Sequence, residues 1–267
     1  MILRVNQLEP EVINVAPYHV LARIYDSVMS HVDYSAWVQF AYSILLDYGL
    51  PSVSDETQPY ILECACGTGS IAVIMALYGC RIDACDKSPD MIEIARTRVA
   101  DLENKPQYSV MEFLQLEAQN SYDAVICLYD SVNYLMELND LTEFFTKVKA
   151  ALKPSGLFLF DICTEFNSRR FFNDYKSDEK GDGFSYLRES HYYSDLKIQE
   201  NIFTVRLDDC QGKEFIETHR QRIYPVNKIR SVLSRTGFKL LEETDGFSRI
   251  PPSETSLRVH FLCRTKE

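Results

Sequence analysis

One stretch limits the possible folds of this chain more than any other: Ile61-Leu62-Glu63-Cys64-Ala65-Cys66-Gly67-Thr68-Gly69-Ser70-Ile71-Ala72. A short apolar run ends near an acidic residue, a glycine-rich turn follows, and a helix-forming stretch begins. The pattern predicts a strand, a tight loop and a helix N-terminus. Its glycines let the backbone approach a bound molecule and accept positive φ where the turn needs it. Asp86 lies seventeen residues beyond Gly69, at the end of a second apolar run, 81–85. A carboxylate at that place is positioned to bind both hydroxyls of a ribose. The two features together describe a pocket for an adenosine-containing cofactor.

The spacing Gly67-x-Gly69-x-x-Ala72 also fits a nicotinamide-dinucleotide fingerprint, so the glycines do not choose the cofactor. Glu63 discriminates. It stands four residues before Gly67, where a pyrophosphate would be repelled and a cationic amino group or sulfonium favoured. On Glu63-x-Ala65-Cys66-Gly67-Thr68-Gly69 the chain resembles the class I S-adenosylmethionine-dependent methyltransferases, whose first motif reads Glu/Asp-x-x-x-Gly-x-Gly. The resemblance implies S-adenosylmethionine as cofactor, S-adenosylhomocysteine as product, and Glu63, Ala65, Gly67, Thr68 and Gly69 beside the cofactor.

Later segments extend the resemblance. Asp86-Lys87-Ser88-Pro89-Asp90-Met91 is similar to the family's second motif. It implies Asp86 and Lys87 near the ribose and Met91 near the adenine, with core packing an equal reading for Met91. Ser88 caps the next helix and Pro89 suits its first turn. Ser109-Val110-Met111-Glu112-Phe113 aligns with the third motif, although the expected acidic residue is absent or displaced to Glu112. Ser109 would accept a hydrogen bond from the adenine amino group, beside Val110 and Met111. The block from Tyr122 to Leu135 resembles a fourth motif of small-molecule methyltransferases. There a buried strand would deliver Leu128, Tyr129 and Asp130 to its carboxyl end, where open α/β sheets bind ligands. Asp130, Asn133 and Tyr134 would then face donor and acceptor; a helix cap and core packing are the alternatives.

Alternating strands and helices predict a parallel sheet with right-handed crossovers. The strands are placed at 60–64, 81–86, 107–110, 122–128 and 156–162, with helices at 69–79, 88–102 and 139–152. Residues 184–224 then read as three long antiparallel strands, Phe184–Ser194, Lys197–Leu207 and Lys213–Tyr224. A helix over Pro225–Thr236 precedes two strands, from Gly237 to about Thr244 and Leu257–Arg264, which suggest an antiparallel terminal hairpin. The expected fold is therefore α/β: a Rossmann-like seven-stranded methyltransferase sheet with an antiparallel last strand, plus an antiparallel β insert and N-terminal cover helices. Residues 1–165 and 223–267 would form the cofactor domain, with two cover helices over 18–50 broken near 31–33. Residues 166–222 would form the insert, a substrate lid. Tyr18, Tyr25 and Trp37 are candidates to face the sulfonium, where aromatic rings attract a cation.

A chain of 267 residues with 46% hydrophobic and 25% charged residues suits a folded protein with a sizeable core. Its net charge of −11 argues against a nucleic-acid substrate. Eight scattered cysteines without Cys-x-x-Cys spacing read as reduced thiols in a cytoplasmic protein. The five histidines form no ligand motif, and no metal is expected. Residues 1–6 lack the apolar core of a secretory signal, and no run approaches membrane-spanning length. A monomer or homodimer acting on a small molecule is expected.

Methyl transfer by in-line displacement needs positioning and water exclusion more than a covalent intermediate. A protonated amine or hydroxyl acceptor also needs a base, for which Asp130, His191 and His219 are the candidates. Strand alternation groups His191 with Glu189 and Tyr193, and His219 with Glu217 and Gln221. The resemblance is nearest to small-molecule N- and O-methyltransferases with a β insert after strand 5. Two other readings remain: a nicotinamide-dependent oxidoreductase, and a non-catalytic regulatory protein that binds S-adenosylmethionine.

Overall fold

The structure is a computed structural model that describes residues 10–54, 56–99 and 102–266. The reading of residues 1–6 lies outside the described residues, as do positions 100 and 101 of the helix expected over 88–102; the observed helix is shorter and ends at Thr97.

Two sheets organise the chain. The first has seven strands in the order β11-β12-β6-β5-β2-β3-β4. Its parallel part comprises β2 (Tyr60–Cys64), β3 (Arg81–Asp86), β4 (Gln107–Val110), β5 (Tyr122–Cys127) and β6 (Leu152–Cys163). The hairpin of β11 (Phe238–Asp245) and β12 (Arg258–Thr265) adds to it, with β12 antiparallel to both β6 and β11. This is the expected sheet with its antiparallel last strand.

Period-two burial gives the sheet two apolar faces. Leu62, Val125, Phe158 and Phe160 point to one face, where they meet Phe144, Phe145 and Val148 of α5 (Leu138–Ala151) and Ile229 and Val232 of α7 (Val226–Arg235). Ile61, Ala124, Ile126 and Leu159 point to the other, against α2 (Tyr34–Asp47) and α3 (Ser70–Leu77). Each fully buried Phe or Leu on these faces contributes about 1.5–3 kcal/mol. The Phe160 and Phe261 rings stack across β6 and β12, with centroids 5.0 Å apart.

Local signals set the helix ends that matter for the site. Gly69 begins α3 in the left-handed region at φ +79°. A Cβ there would also press on the Tyr108 hydroxyl, and it is the positive φ that favours glycine. The Ser88 hydroxyl accepts the Met91 amide at 3.2 Å and caps α4 (Pro89–Thr97), with Pro89 in its first turn.

The second sheet has five strands in the order β1-β10-β9-β8-β7. The three expected strands are β8 (Phe184–Tyr193), β9 (Ile198–Leu207) and β10 (Lys213–Arg222). Two further strands flank them. β7 (Tyr175–Gly181) follows α6 (Glu165–Phe171) and pairs antiparallel with β8. β1 (Glu11–Val15) pairs parallel with β10, so the insert sheet takes its last strand from the amino-terminal side of the chain. The stretch read as two helices over 18–50 is also shorter than expected. A 3-10 turn at Leu21–Ile24 runs into the four-residue α1 (Tyr25–Val28), and only α2 is a full helix.

Candidate active site

A single cavity of about 700 Å³ runs from the carboxyl ends of β2, β3 and β5 to the inner face of the second sheet. That size is ordinary for a small-molecule site. At its floor are Glu63, Ala65, Gly67 and Thr68; Asp86, Lys87, Met91 and Met111 line one wall. The Asp86 carboxylate is positioned by the turn it faces. One oxygen accepts the Gly67 amide at 2.9 Å and the other the Ser88 amide at 2.8 Å. Burial raises its pKa, and the Ser88 and Gly67 amides pull the other way.

Glu63 is 3% exposed, and its Oε2 has no hydrogen-bond partner. Burial pushes its pKa well above the ordinary 4.5, with the thiol of Cys85 and the Asp86 carboxylate adding to the shift. A buried carboxylate oxygen without a partner, in the wall of a cavity, is a costly feature that a cationic group would relieve. The residues present therefore fit a ligand with a positively charged end near Glu63 and a hydroxyl-bearing ring near Asp86.

The cover segment closes this end. Tyr18 and Tyr25 line the cavity with ring centroids 5.9 Å apart, edge to face. A Cβ on Gly67 would meet the Tyr25 ring at 4.0 Å, so that ring lies directly over the turn. Ser88 Oγ donates to the Tyr18 carbonyl at 2.9 Å, and Thr68 Oγ1 donates to Asp26 at 2.8 Å.

The far wall is polar. On β10, alternation turns Glu217, His219 and Gln221 inward, all at most 5% exposed. Glu217 Oε2 accepts the Tyr18 amide at 2.6 Å, and its Oε1 accepts the amides of Val20 and Leu21, each at 2.7 Å. Oε2 also lies 3.1 Å from His219 Nε2. Burial alone would raise the Glu217 pKa, but the hydrogen bonds from His219, Leu21 and Tyr18 outweigh it and lower it. An ionised Glu217 requires His219 Nε2 to donate. In the neutral imidazole Nδ1, 3.2 Å from the Tyr134 hydroxyl, then accepts. Tyr18 and Tyr134 continue the chain, oxygen to oxygen at 2.6 Å. Burial raises the pKa of both phenols, so both remain protonated.

Asp130 lies at the same junction, at φ +52°, next to Tyr129 at φ +64°. Asp161 holds this left-handed pair by accepting both amides, at 2.7 and 2.8 Å. Arg258 pairs with Asp161 and with Asp130, the latter at 2.6 Å. Gln221 Nε2 donates to the other Asp130 oxygen at 2.6 Å. Asp130 lines the cavity with both oxygens engaged, and burial raises its pKa while Arg258 and Gln221 pull the other way. Leu128, Tyr129 and Tyr134 also reach the cavity.

Several expected residues stand elsewhere. His191 is on the outer face of β8, 2.7 Å from Asp174, because the even-numbered residues Tyr186, Arg188, Ser190 and Tyr192 take the inner face. Ser109 and Val110 are exposed on edge strand β4, outside the cavity lining; the chain turns in only at Met111, whose amide bonds to the Asp86 carbonyl at 2.9 Å. Trp37 packs behind the site, its ring 5.1 Å from Tyr129 and 4.9 Å from Phe247. Asn133 is wholly buried and ties β10 to β6, donating to the Arg222 carbonyl at 2.7 Å and accepting the Cys163 amide at 3.1 Å. Gly69 lies outside the lining and shapes the turn through its backbone. Arg188, Asp161 and Arg258 were not anticipated. For the last two, a charge within an otherwise apolar strand run was the available signal.

Comparison with known proteins agrees with this geometry. A family model described as "Methyltransferase domain" matches residues 61–156. "Putative methyltransferase GWCH70_2453" of Geobacillus sp. (strain WCH70) is 31% identical over 249 residues, covering 92% of this chain and 99% of that protein. "Putative methyltransferase YqeM" of Bacillus subtilis (strain 168) is 32% identical over 253 residues, covering 92% and 96%. Among solved structures, an S-adenosylmethionine-dependent methyltransferase from Clostridium acetobutylicum ATCC 824 superposes with a TM-score of 0.80 at 23% identity, covering 94% of this chain and 99% of that one. The chain belongs to the class I S-adenosylmethionine-dependent methyltransferase family. It is an enzyme of that type, with S-adenosylmethionine as its cofactor. The dinucleotide-dependent oxidoreductase and non-catalytic readings are not favoured.

Proposed function

We propose that the protein transfers a methyl group from S-adenosylmethionine to a nitrogen or oxygen of a small-molecule acceptor held between the two sheets. The observation that carries this reading is the continuity of the cavity from Asp86 and Glu63 to His219 on β10. Asp86 binds the ribose hydroxyls, Glu63 attracts the cationic amino group, and Tyr18 and Tyr25 cover the donor. Met91 and Met111 supply the apolar wall for the adenine. The bound donor supplies an activated methyl group, so the protein has to align the acceptor and exclude water. Alignment of this kind accounts for about 7–11 kcal/mol of a barrier.

The second sheet acts as the acceptor lid. Its inner face offers the hydrogen-bonded chain Tyr134–His219–Glu217 for the proton that the acceptor loses. The acceptor's proton passes to the Tyr134 oxygen while the Tyr134 proton passes to His219 Nδ1, and the resulting imidazolium is held by Glu217. The sequence of groups, with a buried carboxylate orienting an imidazole, supports a base of this design.

Incubation with radiolabelled S-adenosylmethionine and a fractionated bacterial metabolite extract tests the reading. Label should move to a small molecule and S-adenosylhomocysteine should accumulate. Label transfer only to macromolecules, or none in any fraction, would reject the small-molecule acceptor.

A further inference from the structure

Arg188 is a charge in the cavity wall that the methyl-transfer machinery does not use. It projects from the inner face of β8, on the second sheet rather than the sheet that carries Glu63 and Asp86. Its Nε and Nη2 donate to a neutral acceptor, Asn201 Oδ1, at 3.3 and 2.9 Å; Ser190 Oγ donates to the same oxygen at 2.7 Å. Among the described residues, no carboxylate forms an ion pair with Arg188, and none accepts a hydrogen bond from Nη1. The other guanidinium lining the cavity, Arg258, is neutralised by Asp130 and Asp161. Burial pulls the Arg188 pKa down, but a guanidinium remains charged.

Its surroundings are aromatic. The guanidinium carbon lies 5.0 Å from the Phe172 ring centroid, 5.9 Å from Tyr175 and 5.5 Å from Phe203. These rings attract the cation, and Asn201 fixes its orientation. A half-buried cation held this way, in a protein with a net charge of −11, has a function that its folded neighbours do not explain.

Building on the methyl-transfer reading, we infer that the acceptor carries a carboxylate on an apolar or aromatic body, and that Arg188 binds this carboxylate while Phe172, Tyr175 and Phe203 pack against the body. One planar guanidinium matches one planar carboxylate by paired hydrogen bonds. A phosphate dianion would call for a second cation, and among the described residues the structure places no other unpaired arginine or lysine on the second-sheet side of the cavity. Recognition would thereby orient the acceptor, with its anionic end against β8 and its nucleophile toward the Tyr134 and His219 side.

The test uses the full chain saturated with S-adenosylhomocysteine and three calorimetric probes: benzoate, phenyl phosphate and benzyl alcohol. Benzoate should bind, more tightly than either other probe. Arg188→Gln should weaken benzoate at least tenfold, and Arg188→Lys should fall between, because it keeps the charge and loses the fork. S-adenosylhomocysteine titrations of both variants report whether they fold and load. Absence of benzoate binding, equal binding of benzyl alcohol, preference for phenyl phosphate, or undiminished benzoate binding by Arg188→Gln would each overturn the inference. If the wild-type chain fails to bind S-adenosylhomocysteine, the methyl-transfer reading fails first, and the inference with it.

Discussion

Replacing Glu217 by Gln probes the contact on which both the cover segment and His219 depend. The carboxylate is 0% exposed and takes four donors: the amides of Tyr18, Val20 and Leu21, and His219 Nε2. A glutamine keeps the shape but turns one oxygen into a donor facing two other donors. Hydrogen bonds to a charged group are each worth about 1.5–3 kcal/mol. Losing two, with partial relaxation of the segment, predicts a destabilisation of about 2–4 kcal/mol. For a chain of this size that is a fall in melting temperature of about 4–16 °C. The pH dependence fixes the cause. The folded-state pKa of Glu217 is lowered, so its stabilisation is present above the ordinary 4.5 and disappears as pH falls through the folded value. The wild-type advantage over Glu217→Gln should thus shrink as pH falls below the ordinary 4.5 toward the folded value. Chemical denaturation across pH measures this, and hydrogen exchange at the amides of residues 18, 20 and 21 localises it. A variant as stable and as protected as wild type would refute the latch.

Three further outcomes follow from the site. Asp86→Asn should weaken S-adenosylmethionine and S-adenosylhomocysteine binding at least tenfold by calorimetry, and should also lower the melting temperature of the free chain, because its amide nitrogen must face the Gly67 or the Ser88 amide. Donor binding should release a proton wherever free Glu63 is still protonated, because its raised pKa must come down when a cationic group arrives; affinity should therefore rise with pH until free Glu63 is ionised. Calorimetry in buffers of different ionisation enthalpy reads that proton, and Glu63→Gln should abolish it. Tyr134→Phe should leave donor affinity within about threefold and reduce turnover by about 10²–10⁴, with His219→Gln comparable, if the pair carries the acceptor's proton.

The seven-stranded sheet was legible because its central strands, β2, β5 and β6, carry long apolar runs and its strands end at turn signals. The spacing of Glu63, Gly67, Gly69 and Asp86 marked the turn that forms one end of the cavity, since local backbone rules govern all four. Strands β1 and β7 were not legible. β7, with Lys176, Asp178, Glu179 and Lys180, lacks an apolar face, and β1 is a five-residue edge strand that pairs with a strand some two hundred residues away. The inner face of β8 depended on pairing register: the grouping of His191 with Glu189 and Tyr193 was correct, but only contact with the rest of the fold decides which group points outward. Asp161 and Arg258 escaped notice because each reads as a polar residue in a strand until β6 and β12 pair and bring them beside Asp130.

The most direct test of the account is a crystal structure of the chain with S-adenosylhomocysteine. The ribose hydroxyls should rest on the Asp86 carboxylate, the amino group should approach Glu63 Oε2, and the sulfur should face Tyr134 and the inner surface of β10. A nucleoside bound away from Asp86, or a sulfur directed away from the second sheet, would contradict it.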